Sequence, residues 1–215
     1  MERASPAITA WLCGLLALPG FAGQPKRIAD PIVLYAKFEH GPPKVVAAAL
    51  QDKLGSILSP LGLRVEWRDI AGRDDKPAVE LAVVSFQGWC DMDRLAPPGR
   101  SPGVLGWTHI SNGVILHFSG VDCDGIRALL WRALRPLSTA ERQRAFGRAL
   151  ARVLAHELYH IFANTTRHSS SGVGETAYSV HDLLAATFRF GGEESQALTN
   201  SQAYQFLEKG QDPPH

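Results

Sequence analysis

The chain has 215 residues, of which 45% are hydrophobic and 20% are charged, as in a globular protein with a core of its own. Its 22 basic and 21 acidic residues leave a formal net charge of only +1. This balance argues against the basic surface that nucleic-acid binding needs, and no run of like charge is long enough for a disordered tail. We therefore expect no nucleic-acid partner.

The N-terminus has the pattern of a signal peptide. Residues 7–21 are almost wholly apolar and follow Arg3, while Gly20 and Ala22 suit the small positions before a cleavage site. The apolar run is about 15 residues long, which is short of the roughly 20 that a spanning helix needs. We predict a signal peptide at 1–22, a single domain at 23–215 and a secreted or periplasmic monomer with no membrane attachment after cleavage.

Two cysteines remain after the leader, because Cys13 lies within it. Cys90 and Cys123 form an even pair in an exported chain, where a disulfide is expected. Closing that loop stabilises the fold by about 3–4 kcal/mol in the chain-entropy account. Two cysteines are too few for a thiolate zinc site.

The first half of the chain predicts strands around one helix. Residues 31–38 are β-rich and form the first strand. Residues 43–58 carry apolar side chains at helical spacing behind a proline that suits the first turn. Residues 63–70 and 79–86 predict two more strands, joined by a polar turn at 71–77. The last of these strands is mostly apolar and should be central in the sheet.

The second half is mostly helical after one hairpin. A long loop at 87–103 is of a length that often has a function. Asn112-Gly113 divides residues 104–119 into a β-hairpin. Ser138 and Glu141 have capping-box spacing at the start of the longest predicted helix. Helical patterns cover residues 122–134, 138–163, 180–190 and 194–209. Strands followed by helices indicate an α+β fold with helices on one face of a mixed sheet.

The longest predicted helix contains the motif HExxH, residues 156–160. His156 and His160 are four residues apart, so they lie on one face of the helix and can reach one zinc ion. Glu157 lies beside them and can take a proton from water, as a general base does. The spacing therefore predicts a zinc centre on this helix, with Tyr159 turned away from it into the core.

A catalytic zinc needs a third protein ligand and an open fourth position. His168 is the best candidate, because the intervening residues 164–166 (Asn-Thr-Thr) favour a turn that can end the helix and bring the chain back. Glu175 is the main alternative and would give a site with two histidines and one glutamate. Less favoured alternatives are His181 and Asp182.

The sequence HELYHIFANTTRHSSSG, residues 156–172, resembles the active-site stretch of zincin metallopeptidases. More narrowly, it is similar to a metzincin-like set of bacterial secreted proteins in which a third histidine follows HExxH after seven residues. The matching positions are His156, Glu157, His160, His168, Ser169 and Gly172. The resemblance is best over residues 104–174. It implies a zincin-like mixed sheet whose antiparallel edge strand borders the substrate cleft, packed on a long active-site helix and C-terminal helices.

Two features depart from the metzincins proper. Their third histidine comes six residues after the second with a glycine between, and here those positions hold Thr166 and Ala163. They also have a methionine turn beneath the metal, whereas this chain has only Met1 and Met92.

These patterns predict that the chain is a zinc-dependent endopeptidase that acts on peptides or proteins, with Glu157 as the general base. Tyr178 is a candidate second donor to the oxyanion. One alternative is a catalytically inactive binding module of the same fold with a structural zinc. Another is a metal-free exported protein in which the motif is fortuitous.

Overall fold

The computed structural model describes residues 32–70, 80–94 and 103–201. The predicted leader at 1–22, the polar turn at 71–77, part of the loop at 87–103 and the end of the helical pattern at 194–209 lie outside these residues.

The described part of the chain contains a five-stranded mixed sheet in the order β2-β1-β3-β5-β4. β1 is parallel to β2 and β3, β3 is parallel to β5, and β4 runs antiparallel to β5 at the edge. The strands are β1 (Ile32–His40), β2 (Val65–Asp69), β3 (Glu80–Trp89), β4 (Gly106–Ser111) and β5 (Val114–Asp122). The expected mixed sheet with an antiparallel edge strand is confirmed, and β3 is central as predicted.

The hairpin between β4 and β5 turns at Asn112 and Gly113, as predicted. Both residues have positive φ, 50° and 78°. A two-residue turn with positive φ at both positions matches the right-handed twist of the strands, and Asn-Gly adopts it at little cost. The hairpin therefore presents β4 as the outer strand next to the longest helix.

Within the described residues, five α-helices accompany the sheet: α1 (Lys44–Leu58), α2 (Cys123–Leu134), α3 (Thr139–Phe162), α4 (Val180–Leu184) and α5 (Gly192–Thr199). Ser138 caps α3 in the predicted capping box with Glu141. The helix predicted at 180–190 is wrong beyond residue 184. The carbonyls of Asp182 and Ala185 there bind the guanidinium of Arg152 on α3, and Ala185 is extended.

Helix α3 is the centre of the core, since nearly every side chain from Ala145 to Phe162 is buried. It crosses α1 closely at Gly147, where a Cβ would lie 2.5 Å from the carbonyl oxygen of Val46. The predicted disulfide joins Cys90 to Cys123, with a Cα–Cα distance of 4.9 Å. None of the helices described is both long and apolar enough to cross a membrane.

Candidate metal centre

Helix α3 and the loop after it bring three histidines together. His156 and His160 are each 8% exposed, and their Nε2 atoms are 2.9 Å apart. His168 approaches from the loop and is exposed. One donor nitrogen of each ring lies within 4.8 Å of the others. The structure therefore gathers the three residues that the sequence singled out as zinc ligands.

The hydrogen bonds of the two helical rings fix where their protons lie. His156 Nδ1 is 2.7 Å from the carbonyl oxygen of Val173, and His160 Nδ1 is 2.7 Å from that of Thr165. Because a carbonyl oxygen only accepts, each Nδ1 carries the hydrogen and each neutral ring has a bare Nε2. Two bare nitrogens facing each other at 2.9 Å repel unless a cation lies between them.

The cation that suits this pair is a metal ion rather than a proton. Burial lowers the pKa of His156 to about 4, although its bond to the Val173 carbonyl opposes the shift. Burial also lowers the pKa of His160. Both rings are therefore neutral near pH 7. Two neutral imidazoles oriented by carbonyls through Nδ1, with the ring of His168 beside them, are a donor set that fits zinc.

The end of α3 and the turns after it explain how His168 returns to the helix. Asn164 has φ 46°, a left-handed conformation that asparagine tolerates, and it ends the helix inside the predicted turn. Ser169 N then donates to the carbonyl of Gly174 over 2.8 Å. At Gly172, with φ 78°, a Cβ would lie 2.6 Å from the carbonyl oxygen of Arg189. The resulting tight loop places the Val173 carbonyl against His156.

Glu157 is buried on α3 beside the histidines, at 4% exposed. Thr108 of β4 donates its hydroxyl to Glu157 Oε2 over 2.8 Å. Burial raises the pKa of Glu157 to about 7, against the lowering effect of this bond. Gly106, two residues along the strand, leaves the space next to the carboxylate free, since a Cβ there would lie 2.7 Å from Oε1.

Sequence reasoning did not single out Thr108 or Gly106. They lie 49 and 51 residues before Glu157 in the chain. Their proximity depends on how β4 is placed against α3, and no local pattern reports that. The sequence offered only a weak indication of this contact, namely a glycine two positions before a threonine on the predicted edge strand.

A cleft of about 390 Å³ opens next to the centre. His156 and Glu157 form part of its wall, and β4 with the residues just before it forms another. Leu129 and Val153 make part of the lining apolar. A molecule bound in this cleft would therefore contact Glu157 and the edge strand at once.

Tyr178 lies at the centre, although not as a free donor. Its hydroxyl donates to the carbonyl of Val173 and lies 3.2 Å from His156 Nδ1. Burial raises the pKa of this phenol, so it stays protonated. It supports the orientation of His156 in this arrangement. Its predicted role as an oxyanion donor would require release from Val173.

The alternative ligands lie outside the three-histidine group among the described residues. Glu175 lines the cleft. Asp182 caps α4 by accepting from Ser179 N over 2.8 Å, and His181 beside it is exposed. Tyr159 is buried in the core, as expected.

Comparison with known proteins adds little at the level of residues. No protein-family model and no curated protein matches the sequence. Among solved structures, archaemetzincin from Methanopyrus kandleri is similar at a TM-score of 0.49 and 12% identity, over 86% of this chain and 99% of that chain. Likeness at this level transfers no residue roles, and the centre is interpreted from this chain's own residues.

Proposed function

We propose that the chain is a secreted, monomeric zinc-dependent endopeptidase. The observation that carries the proposal is the 2.9 Å distance between the Nε2 atoms of His156 and His160, with His168 beside them and the buried carboxyl group of Glu157 next to His156 in sequence. His156, His160 and His168 would hold the ion. Zinc bound there supplies Lewis acidity, which activates water and polarises a carbonyl.

Glu157 acts as the general base. A carboxylate at this position can accept a proton from water and then donate it to the leaving amine. Thr108 holds Oε2 in place, while Oε1 lies in the space that Gly106 leaves open. The carboxylate is therefore oriented before substrate arrives, which saves the cost of ordering it during the reaction.

The shape of the cleft supports a peptide or protein substrate. β4 is at the edge of the described sheet, so its outer side can pair with an extended chain. The cleft next to it has apolar lining that suits a substrate side chain. A peptide aligned along β4 would pass Glu157.

Export rests on the apolar leader and on the disulfide, which persists in an oxidising compartment. N-terminal sequencing of the exported protein should begin at Gly23. A retained leader would contradict cleavage after Ala22.

The variant Glu157→Gln tests the mechanism, because it keeps the size of the side chain and removes the base. We expect peptide-library cleavage to fall by about 10²–10⁴-fold with zinc content unchanged. Glu193→Gln, on the exposed side of α5, is the matched control and should keep wild-type activity. Full activity in Glu157→Gln would exclude the mechanism. A zinc-loaded wild type that cleaves nothing would favour the binding-module alternative.

A further inference from the structure

A second buried carboxylate lies behind the metal centre. Glu194 of α5 is 1% exposed. Its Oε1 accepts from Ser169 Oγ over 2.5 Å and from Gly174 N over 2.6 Å. Its Oε2 accepts from Gly191 N at the start of its own helix. Both oxygens thus have partners, as buried polar atoms require.

The two distant partners of Glu194 close one loop, residues 168–174, which we term the ligand loop. Ser169 follows His168 directly, and Gly174 follows Val173, whose carbonyl orients His156. The Glu194 carboxylate therefore holds both ends of the ligand loop. This loop supplies His168, a predicted ligand, and the Val173 carbonyl, which accepts a hydrogen bond from His156.

Gly174 is shaped to this carboxylate. A Cβ there would lie 2.1 Å from Glu194 Oε1 and 2.7 Å from Ser169 Oγ. The ligand loop can approach the Glu194 carboxyl group this closely only because Gly174 has no side chain. The hydrogen bonds of Glu194 and the absence of a side chain at Gly174 both favour this close packing. They indicate a specific contact between α5 and the ligand loop.

We propose that Glu194 is a positioning residue for the zinc centre, which fixes the ligand loop so that His168 and the Val173 carbonyl meet the two helical histidines. The inference rests on the proposed zinc function. Glu194 lies outside the three-histidine group and would act through its bonds to Ser169 and Gly174.

The test measures metal binding without substrate. Zinc affinity is determined by competition with a chromophoric chelator, and ligand geometry by the visible spectrum of the cobalt(II)-substituted protein. Glu194→Ala leaves two loop donors without their acceptor, and we expect about 10–100-fold weaker zinc binding, as for other residues that support metal ligands. We also expect an altered cobalt spectrum. Glu194→Gln keeps one acceptor oxygen and should lie between Glu194→Ala and wild type.

Matched variants separate positioning from general loss of stability. Glu193→Ala, on the exposed side of the same helix, should bind zinc as wild type does. In a His168→Ala background, Glu194→Ala should weaken zinc binding less than in the wild type, because one of the two groups that it positions is already gone. Should Glu194→Ala fail to fold, Ser169→Ala removes only the hydroxyl that contacts Glu194 and the carbonyl of Ser171, and it should weaken zinc binding several-fold.

The outcomes distinguish this inference from the proposed function. Wild type without stoichiometric zinc would overturn both. Wild type that binds zinc and cleaves nothing would overturn the proposed peptidase activity. The positioning role of Glu194 would then be tested by the zinc affinities alone. Wild-type affinity and cobalt spectrum in Glu194→Ala, or an undiminished loss in the His168→Ala background, would overturn the positioning role.

Discussion

The candidate metal centre consists of two halves that are held in different ways. The helical half, His156 and His160, is buried on α3 and lies four residues apart on one rigid helix. The loop half, His168, is exposed and lies on a segment held by side chains from elsewhere in the chain. The helical half is set by helix geometry, whereas the loop half depends on long-range contacts. This difference predicts unequal responses to mutation and to loss of metal.

The largest expected effect is on zinc binding when one ligand from each half is removed. His156→Ala should abolish stoichiometric zinc, because it leaves one buried ring and one exposed ring. His168→Ala should bind zinc more weakly yet measurably, because the preorganised helical pair remains. Metal analysis after dialysis against buffered zinc compares the two, with exposed His181→Ala as control. An equal loss of zinc binding in the two variants would contradict the proposed difference between the helical half and the loop half.

A second effect tests the helical half through its neighbour on the edge strand. In Gly106→Ala the new Cβ would lie 2.7 Å from Glu157 Oε1 and from Val153 Cγ1, so the carboxylate must move. Misplacement on the order of 1 Å can reduce turnover about 100-fold, and zinc should stay bound. Gly103→Ala is the matched control, because it lines the same cleft with no atom within 4 Å of the added Cβ. Unchanged turnover in Gly106→Ala would contradict the proposal that β4 positions the Glu157 carboxylate for catalysis.

Metal removal should affect the loop half more than the helical half. Chelation takes away the ion that joins them, and the ligand loop then relies on Glu194 and its other bonds. We expect hydrogen exchange of loop amides, including Gly174 N–H, to rise about ten-fold or more, with little change in residues 150–160 of α3. Exchange measured with and without chelator, on the wild type and on Glu193→Ala, checks this. A uniform rise across both segments would contradict the comparison.

The sequence predicted the helical half because its determinants are local. The HExxH spacing, the capping box at Ser138 and the Asn-Gly hairpin are each decided within a few residues. The disulfide followed from a count of two cysteines.

The loop half was predicted only in outline. His168 could be named because the residues before it favour a turn. The role of Glu194 could not, because its partner Ser169 lies 25 residues away and a glutamate in an amphipathic helix is usually solvated. Thr108 was missed for the same reason, since its contact with Glu157 spans 49 residues.

The smallest effect concerns Glu80, whose partly buried carboxyl is less completely hydrogen-bonded than that of Glu194. Burial raises the pKa of Glu80 to about 7, and its Oε2 has no hydrogen-bond partner among the described residues. His117 Nε2 is 3.9 Å from Oε1 but the ring is 44% exposed, so it compensates little. Where Glu194 stabilises a loop through satisfied oxygens, the ionised form of Glu80 should cost stability.

The sign of that cost follows from proton binding. Between the ordinary pKa of 4.5 and the folded value of about 7, the folded state of Glu80 binds more protons than the unfolded state. The free energy of unfolding should therefore fall as the pH rises through this window. Glu80→Gln cannot ionise, so it should be more stable than wild type by ~1 kcal/mol at pH 8 and equal to it near pH 4.5. Urea unfolding at both pH values measures the difference, and Glu193→Gln should show none. A destabilised Glu80→Gln at pH 8 would mean that the folded protein stabilises the ionised Glu80 carboxylate, which contradicts the expected sign.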